Sequence, residues 1–357
     1  MNKIEFGNCI DIMQKWINEG VKVNTCVTSP PYYGLRDYGT ATWEGGYINC
    51  SHQYGRNTRG GLSDFQKNNK GSFGDEAVKS GHACKLCGAI RKDQQLGLEE
   101  TPQQYIDNMV KVFRLVRELL TDDGTLWVNI GDSYSSGERT STTSQSLRGH
   151  TEYGVTRPPV IKGIKQKDLI GIPWMLAFAL REDGWYLRQD IIWHKPNPMP
   201  ESVKDRCTKS HEYIFLLSKS PKYYFDNEAI KEPCINSSEA QIAKRNKKQH
   251  RENASHEEAK YVQHNFSKID KIYEKRNKRD VWSVNVKPYK GAHFATFPIN
   301  LIDPCIKAGC PDGGIVLDPF MGSGTTAQVA LINNKQYLGC ELNTEYKHLQ
   351  DQRIGMI

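Results

Sequence analysis

The sequence predicts an α/β fold built on a largely parallel sheet with helices on both faces. Three observations carry this. Short apolar runs alternate with amphipathic helical stretches along most of the chain. One such run leads through a glycine-rich turn straight into a helix, "GGIVLDPFMGSGTTAQVA" (Gly313 to Ala330). Two polar windows, 43–95 and 227–280, lack the alternation and read as projections from the sheet.

In chain order, "KIEF" (Lys3 to Phe6) reads as a strand, and a helix follows from about Asp11 to Asn18. "NTCVTS" (Asn24 to Ser29) is a second strand, stopped by Pro30 and Pro31, which cannot donate to a ladder. In "TPQQYIDNMVKVFRLVRELL", Thr101 is a good N-cap and Pro102 suits the first helical position. Tyr105, Met109, Val112, Phe113, Val116 and Leu120 then recur at helical steps and mark one buried face. "DDG" ends that helix, and Thr125 to Ser133 is a buried strand. A Ser/Thr/Gly-rich loop spans roughly 134–163, followed by a helix from about Leu169 to Arg181. Gly184 stops it before the strand Tyr186 to Trp193, and "HEYIFLLSK" (His211 to Lys219) is another strand. After the second polar window come the strand before the glycine turn, a helix from about Gly324 to Asn333, and the strand of "QYLGCELN".

With 357 residues the chain holds one large domain with insertions, or two domains. No run of about 18 apolar residues is present, which predicts no membrane span. The N-terminus lacks the basic-then-apolar form of a secretory signal, which predicts a cytoplasmic protein. In that reducing compartment the ten cysteines read as free thiols or metal ligands. Net charge is +7, and the stretch Cys234 to Asp280 alone carries twelve Lys/Arg against seven Asp/Glu. That bias is compatible with a polyanionic partner.

The glycine turn invites a ligand. Gly322 and Gly324 let the backbone approach it closely, and the next helix offers free N–H groups. Glu341, ending the following strand, is placed to accept from the hydroxyls of a ribose. A nicotinamide site also fits the Gly-x-Gly-x-x-Ala spacing, but such a fold needs further βαβ units, and only residues 342–357 follow Glu341. The rest of the sheet must come from upstream. In the first polar window, Cys50 and His52 sit two apart, and Cys84 and Cys87 form a Cys-x2-Cys knuckle. Two ligand pairs separated by about thirty residues of polar loop fit a closed, structural zinc site. His82 competes with His52 for the fourth position.

Two motifs make the chain resemble the S-adenosylmethionine-dependent amino-methyltransferases of DNA. They are "TSPPYY" (Thr28 to Tyr33) and "DPFMGSG" (Asp318 to Gly324). The catalytic motif comes first and the cofactor loop last, similar to the family's β-group. "RDVWSV" (Arg279 to Val284) and "HFATFPINLI" (His293 to Ile302) resemble segments that lead into the cofactor loop. "FGNCIDIM" resembles the adenine-contacting turn, with Asn8 where the family usually carries aspartate. An amide oxygen can still accept from the adenine amino group. The resemblance implies a Rossmann-like methyltransferase sheet in circularly permuted motif order, with a small zinc-binding insertion and a polar target-recognition insertion. The catalytic domain would comprise 1–42, 96–226 and 281–357, the zinc insertion 43–95 and the target-recognition region 227–280.

The resemblance also implies residue roles. Ser29 and the Pro30 carbonyl would accept from the target amine, Pro31 would stiffen the turn, and Tyr32 would stack on the base. Asn8, Phe297, Asp318, Pro319, Phe320, Gly322, Gly324, Thr325 and Glu341 would bind the cofactor. In this family serine before the prolines goes with cytosine N4 and aspartate with adenine N6, so Ser29 favours cytosine and leaves adenine as the alternative. A paired base cannot reach such a pocket, so the target nucleotide would be flipped out of double-stranded DNA. Lys204, Arg206 and Lys209 before a strand suit phosphate contacts. Lys244, Arg245, Lys247 and Lys248 belong to the basic window, which is either a recognition surface or a solvated helical region. A cognate restriction endonuclease and a homodimer are further partners the family suggests. A zinc-containing DNA-binding protein without catalysis is the competing class. Asp132, in "IGDS", either lines the pocket or holds a turn.

Overall fold

A computed structural model describes residues 1–34, 38, 40–47, 49–52, 83–84, 86–135, 163–233, 275–286 and 297–355. The elements are β1 (Asn2–Phe6), α1 (Cys9–Asn18), β2 (Val23–Thr28), β3 (Thr42–Glu44), β4 (Ile90–Lys92), α2 (Pro102–Leu119) and β5 (Leu120–Ile130). They continue as α3 (Ile172–Glu182), β6 (Tyr186–His194), β7 (His211–Ser218), β8 (Glu232–Pro233), β9 (Lys275–Arg276) and β10 (Val281–Ser283). The chain closes with α4 (Ile299–Gly309), β11 (Ile315–Asp318), α5 (Thr325–Ile332), β12 (Gln336–Glu341) and α6 (Lys347–Ile354).

Eight strands form one sheet in the order β1-β12-β11-β2-β5-β7-β6-β10. All neighbours run parallel except β7, which is antiparallel to both β5 and β6. As expected, β12 and β11 complete their sheet with strands from far upstream, β1 and β2. Alternate residues serve opposite faces. On β7, Phe215 and Leu217 join the core under α1, α2 and α3, while Ile214 and Leu216 join the core under α4 and α5. Helix α2 has the cap foreseen for it: Thr101 Oγ1 accepts from Gln104 N at 3.2 Å, and Gln104 Oε1 accepts from Thr101 N. Its periodic apolar residues are buried.

This topology gathers chain ends. The carboxyl ends of β2, β5, β6, β11 and β12 lie at one edge, and the reversal of β7 brings its amino end, His211 and Glu212, to the same edge. Open α/β sheets bind ligands at that edge. Among the described residues no helix is long and apolar enough to cross a membrane.

Candidate active site

The proline turn leaves β2 at Thr28 and runs through Ser29, Pro30, Pro31 and Tyr32. It is held from behind. The Tyr105 hydroxyl donates to the Pro31 carbonyl at 2.9 Å, and Gly34 N donates to the Gly97 carbonyl at 2.7 Å. Gly97 has φ 95°, and a Cβ there would lie 3.0 Å from the Tyr32 carbonyl oxygen, so only glycine fits. The Pro30 carbonyl meets no donor among the described residues and is left available. The Tyr32 hydroxyl donates to Glu212 Oε2 at 2.7 Å, with Asn129 Oδ1 at 3.4 Å. Burial and the neighbouring Glu212 carboxylate raise the Tyr32 phenol well above its ordinary range, so it keeps its proton. Gly131 makes room for the ring: a Cβ there would fall 2.8 Å from Tyr32 Cε2.

The second loop is tied to the first through Asp318, which is 1% exposed. Its carboxylate accepts from Thr28 Oγ1 at 2.6 Å, Thr326 Oγ1 at 2.6 Å and Phe320 N at 3.0 Å. Burial lifts this carboxyl to about 6, against the pull of those three donors. Glu341 accepts from Gly322 N at 2.7 Å and Asn343 N at 2.8 Å, and burial lifts it to about 7. Gln350 of α6 donates to the Gly322 carbonyl at 2.7 Å, and Arg353 donates to Thr325 Oγ1. Asn8 Oδ1 accepts from Ile10 N at 2.9 Å and caps α1, while Gly7 N donates to the Glu341 carbonyl at 2.8 Å.

Both loops line a single cavity of about 750 Å³. Ser29, Pro30, Pro31 and Tyr32 form one wall; Asn8, Phe297, Pro319, Phe320, Gly322, Thr325 and Glu341 contribute to another. Asp318 and Gly324 stand behind the wall, where Asp318 acts on the loops rather than on the cavity. Asp132 serves both roles left open for it. It lines the cavity, and its carboxylate accepts from Gly171 N at 3.0 Å and Ile172 N at 3.2 Å, capping α3.

The family of this fold is decided by sequence. The profile of the N6/N4 DNA methylases matches residues 23–352. The chain belongs to that family. This makes it an S-adenosylmethionine-dependent DNA amino-methyltransferase. Among curated relatives, the methylase is 39% identical over 348 residues to the type II methyltransferase M.Cfr9I of Citrobacter freundii, covering 98% of this chain and 86% of that one. It is 42% identical over 328 residues to the type II methyltransferase M.SmaI of Serratia marcescens, covering 92% and 82%. Solved structures share the fold. The PvuII DNA methyltransferase (cytosine-N4-specific) superposes with a TM-score of 0.54 at 14% identity, covering 99% of this chain and 86% of that one. The Thermus thermophilus protein TTHA0409, complexed with S-adenosyl-L-methionine, gives 0.50 at 18%, covering 100% and 94%.

The strand end Trp193, His194 and Lys195, which the family resemblance puts at the edge of the base pocket, does bring Lys195 to the cavity of the methylase, whereas the sequence does not single out Glu212 or Ser323 as site residues. Glu212 pairs with Lys195, whose ammonium lies 4.3 Å from the Trp193 ring centroid. Only the position of "WHK" and "HEY" at strand ends hinted at this pair. His194 instead faces the neighbouring strand β10, with Nδ1 3.0 Å from Ser283 Oγ. Ser323 Oγ is buried and has no partner among the described residues, although the residue lines the cavity. Its signal was its place between the two loop glycines.

The cysteine cluster assembles as the spacing predicts. Ligand atoms of Cys50, His52, Cys84 and Cys87 all lie within 4.8 Å of one another. In the knuckle Leu86 N points at Cys84 Sγ at 3.4 Å, and Gly88 N closes the turn by donating to the Cys84 carbonyl at 2.9 Å. Trp43 stacks on the His52 ring, with centroids 4.7 Å apart. A Cβ on Gly46 would lie 2.6 Å from Cys87 Sγ, so this position must stay bare. The competing His82 lies outside the described residues.

The predicted phosphate contacts separate. Lys204 is exposed. Arg206 is held by Glu201 at 2.6 Å and lies 3.9 Å from the Tyr134 ring centroid. Lys209 turns inward, lines the cavity and donates to the Asp132 carbonyl at 2.7 Å. Burial lowers its pKa. Lys244, Arg245, Lys247 and Lys248 lie outside the described residues.

Proposed function

We propose that this methylase transfers a methyl group to the exocyclic N4 amine of a cytosine flipped out of a specific site in double-stranded DNA. The carrying observation is Ser29, the residue before the two prolines, on the wall of the cavity that the cofactor loop also lines. Serine there goes with cytosine in this family. The amine is a weak nucleophile because its lone pair is delocalised into the ring. Acceptors at the amine favour its rehybridisation and stabilise the charge that develops. The Ser29 hydroxyl and the Pro30 carbonyl supply them, and the backbone behind is fixed before the base arrives. Tyr32 offers a flat, desolvated wall whose hydroxyl is anchored by Glu212.

S-adenosylmethionine supplies, when bound, an electrophilic methyl group on a sulfonium. The chain's residues fit it: Glu341, whose carboxylate is buried at the cavity wall, would accept from the ribose hydroxyls, and the glycine loop that lines the same cavity through Gly322 and Ser323 would approach the cofactor closely. The four-residue Cys/His cluster fits a structural zinc, with no ligand position left for substrate. The protein would act in the cytoplasm, with 227–280 as its target-recognition region, in a restriction-modification setting like that of its type II relatives.

Transfer of labelled methyl into DNA, followed by nucleoside mass spectrometry, tests the base. The expected product is N4-methylcytosine. N6-methyladenine alone would reassign the pocket to the alternative base.

A further inference from the structure

The loop that follows β6, "KPNPMPES" (Lys195 to Ser202), is unlike the other cavity margins. Pro196, Pro198 and Pro200 alternate with Asn197 and Met199. Proline fixes its own φ, and each residue before a proline is held extended. After a bend at Pro196 and Asn197, the stretch Pro198 to Pro200 is therefore a short stiff rod. Both its ends are fastened. Asn197 Nδ2 donates to the Val286 carbonyl at 3.0 Å, and Asn197 Oδ1 accepts from Val286 N at 2.9 Å. At the other end Glu201 is paired with Arg206 at 2.6 Å. At the middle of this fastened rod Met199 stands 86% exposed on the margin of the cavity.

Exposure of one apolar side chain needs no explanation by itself. Its presentation does. A rigid stem, anchored on both sides, holds an unbranched and polarisable side chain in water beside the opening through which a target must enter. Charged residues share this margin: Lys195, Lys209 and Glu201 line the same cavity, and Lys204 is exposed on the adjoining segment. Pro196, Pro200 and Val203 are exposed as well, a small apolar patch in which Met199 is the one long, flexible side chain, and such a patch is too small for a protein interface. It suits a gap about one base wide.

We infer that Met199 is the wedge that enters the base stack when the target nucleotide leaves it. This rests on the reading that the cavity receives a flipped base. Extrusion unstacks the neighbours of the lost base, and an apolar side chain inserted there restores part of the contact. The thioether adapts to whichever bases border the gap. The proline rod limits the conformational freedom lost on insertion. Met199 is on this account a positioning residue: it holds the DNA open and touches neither the amine nor the methyl donor.

The test is single-turnover methylation by the full chain with S-adenosylmethionine, on duplexes carrying the site mapped for the wild-type protein. One duplex is fully paired, and the other has an abasic position opposite the target, which lowers the cost of extrusion. Met199→Ala should slow methylation of the paired duplex by about tenfold or more, and come within about threefold of wild type on the abasic duplex. Met199→Leu should restore most of the rate on paired DNA. Cofactor affinity should be unchanged in both variants, which reports an intact fold at this exposed position. A wild-type rate for Met199→Ala on paired DNA, or an equal loss on both duplexes, overturns the wedge. If the wild-type protein methylates neither duplex, the reading of the cavity itself fails, which is a different result.

Discussion

Glu341 shows what one side chain contributes to this site. Burial lifts its carboxyl from the 4.5 of a free glutamate to about 7. In the unfolded chain the proton leaves near 4.5; in the folded protein it stays until about 7. The folded state therefore binds the proton more tightly, and cofactor-free stability contributed here is lost as pH rises through that interval. On the proposed reading the ribose hydroxyls would donate to the ionised carboxylate, so cofactor affinity should move the opposite way. We expect calorimetry to show S-adenosylmethionine binding that tightens between roughly pH 6 and 8, and Glu341→Gln to flatten that dependence. Equal pH slopes in both proteins would remove Glu341 from ribose recognition. Glu341 was legible in the sequence because strand, glycine loop and acid recur at a fixed spacing. The Lys195–Glu212 pair was not, because residues 17 apart meet only through the antiparallel return of β7.

At the scale of elements, Asp318 is the knot between β2, β11 and α5. Without it the buried Thr28 hydroxyl loses its acceptor, and the buried Thr326 hydroxyl keeps only the Val27 carbonyl at 3.4 Å. Unsatisfied buried groups cost more than the bond they lose. Asp318→Ala should therefore lower stability by about 3 kcal/mol in urea denaturation and weaken cofactor binding with it, whereas Asp318→Asn, which keeps an acceptor, should lose less. A change below about 0.5 kcal/mol would show that the knot does not hold the loops together. The cysteine knuckle joins elements by another means. Its own cluster of buried apolar residues contains only Cys84, Cys87 and Ala89 among the described residues, too few to hold β3 against β4. A metal would supply what the core does not. Metal analysis should find about one zinc per chain, lost together with thermal stability in Cys84→Ser; metal-free protein of undiminished stability would exclude a structural ion. Element boundaries followed the sequence wherever periodicity was strong, as in α2. They were illegible elsewhere. Helix α4 carries Pro304 in its interior, β10 is three residues long, and α6 buries only Leu349 and Gln350, so neither pattern nor propensity marked them.

For the whole molecule, charge and topology divide the labour. The sheet edge collects both loops into one cavity from opposite ends of the chain, a closure that motif order alone implied. Positive charge is concentrated elsewhere: of a net +7, the stretch 234–280 accounts for +5. At its described margin Arg276 and Arg279 share one carboxylate, Glu232, at 3.0 Å and 2.7 Å. Away from that shared pair, Lys244, Arg245, Lys247 and Lys248 form the densest group of cations in the stretch. Each phosphate neutralised releases condensed counterions, so the dependence of log affinity on log salt counts the contacts. Replacing all four by glutamine should make that slope shallower by about 3 to 4 and weaken binding to specific and unrelated duplexes alike. The methyl-transfer rate at saturating DNA should stay near that of wild type, because the catalytic turn and the cofactor loop are left intact. A slope that does not change would make this stretch a solvated surface and move DNA recognition to the cavity margin.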